Sequence, residues 1–488
     1  MIHMKTLSDI STLRESVTLE CKLAAGKDGN GSIPRDFWET YSAFANTHGG
    51  VILLGVREKA GTFSFNSIPN PERLKTDLFN TLNNPSKVCC NLLSDRDVKI
   101  FEIDGNTLLA VQVPQAARQQ KPVFLNGNPL GNTYRRLHEG DRKCSDDVVR
   151  RMLAEQMEES RDIQILSGFG LEDLDLDTLH AYRQLFANYK PDHPWNAPDD
   201  SEFLRLIGCR RRDCHSGEEG LTLAAVLMFG TWQAISEVAP LLFWDYQELP
   251  EHPDTDIRWL DRVVADGTWS GNLFDFYRKV SRKLMEDLKV PFSLKDGIRQ
   301  DDTPQHKALR EALINTLVHA DYSDRASMRI QKSPSGFIFR NPGTLRLPLE
   351  RALKGGESDC RNRTLHQMFL MVGLGERAGS GIPKIRDAWE GHGYHISLSD
   401  SFEPYDQTTL RIETAVGNEL GNRLGNRLGN TRMTILDEMR KTPKISSAKL
   451  SEVLNMSVTA TEKNIKYLRE HGYIKRIGGT RGYWEVVK

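Results

Sequence analysis

HKALREALINTLVHADY, residues 306–322, carries two patterns on one helical period. Leu309, Leu313 and Leu317 recur every four residues, an apolar stripe that predicts a helix with one buried face. Glu311, Asn315 and His319 recur at the same spacing, setting a carboxylate, an amide and an imidazole on an adjacent face. Glu-x-x-x-Asn alone is a common accident and also suits a solvated helix face. Three segments downstream give it force. FIFRNPGTL (337–345) reads as a strand ending in an Asn-Pro-Gly turn, GLGERAGSGIPKI (373–385) is Gly-rich before a helix, and TTLRIET (408–414) reads as a closing strand.

That order resembles the GHKL (Bergerat) ATP-binding fold. The form is the divergent one found beside Schlafen-type AlbA domains in bacterial regulators, also described as a RecG-like helicase C-terminal domain. The resemblance implies an α/β sandwich over 301–416, with ATP and Mg²⁺ as cofactors. Asn315 would coordinate Mg²⁺ bridging the phosphates, and Glu311 would polarise the attacking water as the ATPase base. Gly379, Ser380 and Gly381 would bring backbone N–H groups to the phosphates at a helix start. Asn341 and Gly343 stand where relatives with good ATPase activity have Asp-x-Gly, whose Asp accepts the adenine amino group. A neutral Asn should bind it more weakly. No Gly-x-x-x-x-Gly-Lys-Ser/Thr loop and no helicase motor motifs occur, which excludes a P-loop engine.

Residues 1–155 read as mixed α/β. VTLECKL alternates as a half-buried strand, and IPRDFWETYSAFAN sets Phe37, Trp38, Tyr41, Phe44 and Ala45 on one helical face. VILLGV reads as a buried strand, and VKIFEIDGNTLLAVQVP as a hairpin turning at Asp-Gly-Asn. ESVTLECK, AFANTHGGVILLGV and KPVFLNGNPLGNTYRRLHEG together resemble the Schlafen-type AlbA domain, with Cys21 replacing the usual aromatic. The resemblance implies nucleic-acid binding, with Lys22, Arg135 and Arg136 as candidate contacts. In some relatives three carboxylates make a metal-dependent RNA endonuclease, and here those acids would be Glu15, Glu20 and Glu58. Clustered acids can hold Mg²⁺ or Mn²⁺ and activate water. Their competing reading is a structural ion-pair cluster with Lys22.

GNELGNRLGNRLGN (417–430) repeats Gly-Asn every four residues and is expected to be a linker. Beyond it, 431–488 reads as three helices and a two-stranded hairpin, a winged helix-turn-helix. Its 12 Lys and Arg face 6 Asp and Glu. The third helix would offer Thr459, Thr461, Lys463, Asn464 and Lys466 to a major groove, while Lys475, Arg476 and Arg481 on the wing reach phosphates. Protein docking is the other use of such a module.

The whole chain, 488 residues with 65 Lys and Arg against 66 Asp and Glu, is nearly neutral. That balance hides a basic carboxyl terminus on an acidic body. No apolar run approaches membrane-span length, the start lacks a signal-peptide pattern, and seven cysteines are scattered rather than paired. A cytoplasmic protein with no membrane partner is expected. Residues 160–300 read as a mostly helical connection. These features point to a multidomain α/β regulator that binds DNA or RNA, forms a homo-oligomer, and rearranges its domains when ATP binds. A divalent-metal nuclease, with phage defence as one setting, and a protein-binding adaptor with a vestigial nucleotide site are the alternatives.

Overall fold

The computed structural model describes residues 18–24, 31–59, 62–138, 140–156, 160–214, 216–250, 258–288, 294–295, 298–299, 302–375, 379–414, 435, 439, 445–453, 458–470, 474–477 and 483–486. The amino-terminal unit is a four-stranded sheet in the order Leu19–Lys22, Gly50–Leu54, Asn106–Val113, Val98–Ile103. The first pair is parallel and the others antiparallel. Gly50–Leu54 is central and wholly buried, as its unbroken apolar run requires.

Helix Asp36–Asn46 buries Phe37, Tyr41 and Phe44 against this sheet. Its last residue, Asn46, is fully buried because its side chain serves the backbone: the amide nitrogen donates to the Val123 and Tyr134 carbonyls, and the oxygen accepts from Val123 N–H. One asparagine thereby ties the helix to the hairpin Tyr134–Leu137/Gly140–Lys143.

The central unit is a six-stranded sheet in the order Asp261–Val264, Trp244–Glu248, Met328–Ser333, Gly336–Pro342, Gln407–Thr414, Tyr394–Ser401. Only the Trp244–Glu248/Met328–Ser333 pair is parallel. Helices Leu273–Met285, Pro304–Val318, Arg363–Met371 and Gly381–Glu390 pack with it around one continuous apolar core that reaches from Leu174 to Ile412. Two of the six strands come from before residue 301, so the 160–300 segment completes the sheet as well as connecting the units. An edge strand leaves backbone groups unpaired, and only tertiary pairing supplies Met328–Ser333 with its outer neighbour.

Pro304–Val318 is the helix expected within 306–322. Thr303 caps it, Pro304 occupies its first turn, and Leu309, Leu313 and Leu317 are all fully buried. The carboxyl-terminal unit holds helices Ser447–Val453 and Val458–Glu470 and the hairpin Ile474–Ile477/Tyr483–Val486. They close on a small core of Ile435, Met439, Leu450, Ile465, Leu468 and Trp484. Residues 417–430 lie outside the described residues. No helix among those described is long and apolar enough to cross a membrane.

Candidate nucleotide-binding site

A cavity of about 560 Å³ opens between helix Pro304–Val318, the sheet and the start of helix Gly381–Glu390. Glu311, Asn315, Asn341, Gly379 and Gly381 all line it. Residues far apart in sequence are therefore neighbours in space. Asn315 Nδ2 donates to Glu311 Oε1 at 3.2 Å, the contact their four-residue spacing allows.

The helix start at Gly381 presses on this pair. A Cβ at Gly381 would stand 2.6 Å from Glu311 Oε1 and 2.8 Å from Asn315 Nδ2, so a larger residue there would push both side chains aside. Gly379 has φ +62°, and a Cβ there would strike the backbone of Glu357. Ser380 precedes the helix without a capping side-chain bond. Burial pushes the Glu311 carboxyl above its ordinary value, against the weaker opposing pull of the Asn315 bond and of Lys384.

The far wall is the turn after Gly336–Pro342. Asn341 is buried and donates its amide N–H to the Pro342 carbonyl at 3.2 Å. Gly343 has φ +87° and lies against the Arg361 guanidinium. Thr408 Oγ lies 2.9 Å from both the Gly343 carbonyl and Asp400 Oδ1, its single proton serving one of them at a time, and Asp400 accepts from Leu345 N–H. His319 is the residue that ends the helix. Burial and the nearby Arg361 push its imidazole down to about 3, so it is neutral.

Sequence reasoning missed the residues that hold this wall. Arg361 donates to Glu155 Oε1 at 3.1 Å, to the Thr344 carbonyl at 3.0 Å and to the His319 carbonyl. Asn362 Nδ2 donates to the carbonyls of Val318 and Ala320, fastening the helix end. The signal was Cys360-Arg-Asn-Arg363, two cations flanking an asparagine, but its partners lie 17 to 206 residues upstream.

The amino-terminal candidates fall out differently. Glu20 is not free to gather a metal: its carboxylate receives Arg136 at 2.7 Å and Lys22 at 3.0 Å. Glu15 lies outside the described residues, as does the side chain of Glu58, whose backbone is in strand Val56–Lys59. Among the described residues no three His, Cys, Asp or Glu side chains gather as a metal site.

Lys22, Arg135 and Arg136 need correcting as nucleic-acid contacts, because all three are buried. Lys22 also bonds Asp36 at 2.7 Å, Arg136 also bonds Asp141 at 3.0 Å, and Arg135 grips Asp406 of the central unit at 2.6 and 3.0 Å. Buried cations need counter-charges, and the fold supplies them internally.

In the carboxyl-terminal unit Thr461 is also corrected. It is fully buried, on the face it shares with Ile465 and Leu468 by helical spacing. Lys463 and Lys466 are exposed and Asn464 half-buried on helix Val458–Glu470, and Lys475 is exposed on the hairpin. The side chains of Thr459 and Arg476, and the whole of Arg481, lie outside the described residues.

Comparison with known families matches four segments of the chain. Residues 15–145 match the family described as "Schlafen, AlbA_2" and residues 150–245 a "Domain of unknown function (DUF8451)". Residues 331–401 match "Putative ATP-dependent DNA helicase recG C-terminal", and residues 428–475 "Winged helix-turn-helix DNA-binding". The 331–401 match begins after the helix that carries Glu311 and Asn315, which the cavity joins to it.

Among solved structures, the DIP2311 protein of Corynebacterium diphtheriae is 18% identical with a TM-score of 0.39, over 96% of this chain and 79% of that one. The N-terminal domain of a "Putative ATP-dependent DNA Helicase RecG-related Protein" from Nitrosomonas europaea is 29% identical with a TM-score of 0.22, over 29% of this chain and 94% of that one. No curated protein matches the chain. From amino to carboxyl terminus, the chain thus carries a Schlafen AlbA_2-type segment, a recG C-terminal-type segment and a winged helix-turn-helix segment, the order its sequence motifs imply.

Proposed function

We propose that the chain is an ATP-binding, nucleic-acid-binding regulator in which nucleotide in the central cavity sets how the outer units are held. The observation that carries the reading is the Glu311–Asn315 pair facing the glycine start of a helix inside a cavity of ligand size. The residues fit a nucleotide with a divalent cation. With no side chain at Gly381, backbone N–H groups are what an anion would meet there. Asn315 supplies a neutral oxygen suited to Mg²⁺, and bound Mg²⁺ would neutralise phosphate charge. Asn341, its N–H engaged by Pro342, offers its oxygen as an acceptor for an adenine amino group. Glu311, with its raised pKa, is suited to orient a water and take its proton.

The test is nucleotide binding by the full chain. ATP with Mg²⁺ should raise the melting temperature of wild type, and Asn315→Ala should lose most of that shift. Equal shifts in both would end the gating reading.

The same reading gives the winged segment DNA as its partner. Lys463→Gln and Lys466→Gln should each reduce the slope of log affinity against log salt by about one, as expected for a lost phosphate contact. Thr461→Val should leave that slope unchanged, because the side chain faces the core. A salt slope insensitive to both lysines would favour protein docking. For the amino-terminal unit, the bonds of Glu20 to Lys22 and Arg136 favour a structural role over a nuclease centre.

A further inference from the structure

A second cavity, of about 470 Å³, lies where the amino-terminal unit meets the central one. It shares residues 344–347, Asp359 and Arg361 with the first cavity, so one wall serves both. Among the described residues seven Lys and Arg line it against four Asp and Glu.

The four acids are already engaged. Asp406 holds Arg135, and Asp359 holds Arg118 at 3.0 Å. Glu155 takes Arg346 at 2.9 Å and Arg361 at 3.1 Å, and Asp321 faces Arg161 at 3.4 Å. Lys121 is left over. Among the described residues no carboxylate stands within ion-pairing distance of its ammonium. Asp400 and Asp406 attract it from further away, while burial and the neighbouring Arg135 push it down to about 8. A half-buried cation without a counter-ion is unfavourable, and an anion entering the cavity would reduce that cost.

We propose that this cavity binds a small phosphate-bearing anion, with Lys121 as its counter-charge and Arg351 at its rim. Its volume is that of a small-ligand site rather than a groove for a nucleic-acid strand. The excess of Arg and Lys suits phosphate, which guanidinium groups grip in bidentate fashion. Arg351 is more than half exposed and its own partner, Glu357, lies outside this cavity, so it can turn inward at low cost. Because the wall is shared, the bound anion would bear on the 344–347 segment that also borders the first cavity. The anion site does not depend on the first cavity taking ATP.

Inorganic pyrophosphate titrated into the full chain by calorimetry tests this. Wild type should show one saturable site. Lys121→Gln should weaken it at least about tenfold, the usual result of removing one member of a buried charge pair. Arg351→Gln should weaken it several-fold, and Asn315→Ala should leave it unchanged. Lys121→Gln removes an uncompensated cation, so its melting temperature should not fall below that of wild type. No binding by wild type overturns the proposal, as does equal affinity in Lys121→Gln. Loss in Asn315→Ala with retention in Lys121→Gln would place the anion in the first cavity and also overturn it. If Lys121→Gln fails to fold, unchanged affinity in Arg351→Gln decides against the site.

Discussion

Glu311→Gln is expected to raise thermal stability while removing ATP turnover, two effects of opposite sign from one atom change. The stability arm rests on the raised pKa. An acid whose folded pKa lies above its unfolded value costs stability once the pH is high enough to ionise it in the folded protein, and that cost is absent below the unfolded pKa. Once ionised in the fold, the carboxylate is desolvated, so a neutral isostere that keeps a carbonyl oxygen for Asn315 relieves the cost.

The activity arm rests on the lost base. General-base contributions are about 10²- to 10⁴-fold, so hydrolysis should fall by that range while ATP binding persists. Melting curves and single-turnover hydrolysis on the same two samples check both arms. A residue on a merely solvated helix face would move neither. If stability falls and turnover is unchanged, Glu311 is a packing residue.

Arg361→Met should be the most destabilising single change near the site, by about 3–5 kcal/mol, since it strands charges in a buried network. Arg361 is 5% exposed and holds Glu155 of the preceding helix Asp146–Glu155 together with the Thr344 and His319 carbonyls. Burial alone would raise the Glu155 carboxyl, but Arg361 and Arg346 outweigh it and hold the group below its ordinary value. Asp321 behaves likewise: burial opposes, and Arg361 with Ser323 and Arg161 outweighs it.

The sign for these two acids is opposite to that for Glu311. A lowered folded pKa contributes stability above the unfolded value, and that stability is lost as pH falls through the folded one. Wild type should therefore lose stability on acidification below about pH 4, the ordinary carboxylate range, and Arg361→Met should lose much less. Urea midpoints of both proteins across that pH range measure this. Equal pH dependence would show that Arg361 does not hold these acids. Because Glu155 precedes the central unit in the chain, the variant should also weaken the seating of the amino-terminal unit, and nucleotide binding should drop with it.

Much of this was legible from local pattern. The leucine stripe at 309, 313 and 317 pointed to the helix, and the same four-residue period put Glu311 beside Asn315, because helical geometry fixes which side chains are neighbours over two turns. The strand ending at Asn341-Pro-Gly343 and the glycines at 379 and 381 were visible because backbone demands restrict residue type. Thr461 misled for a related reason. A threonine in a polar-looking run reads as exposed, yet one helical step decides its face, and Ile465 and Leu468 place it inside.

Charge was what local reading could not assign. Lys22, Arg135 and Arg136 look like phosphate contacts in sequence, since a cation shows its sign there and not its partner. The partners lie 14, 271 and 116 residues away, at Asp36, Asp406 and Glu20. The sequence by itself determined the order of the units, the helix and turn that frame the cavity, and the basic carboxyl terminus, because each depends on neighbours within a few residues. Only the tertiary structure decided which ions are spent in holding units together, that strands before residue 301 complete the central sheet, and that Lys121 has no counter-ion among the described residues. Electrostatic pairing and edge-strand completion join residues from 14 to 271 positions apart, and no short-range pattern encodes them.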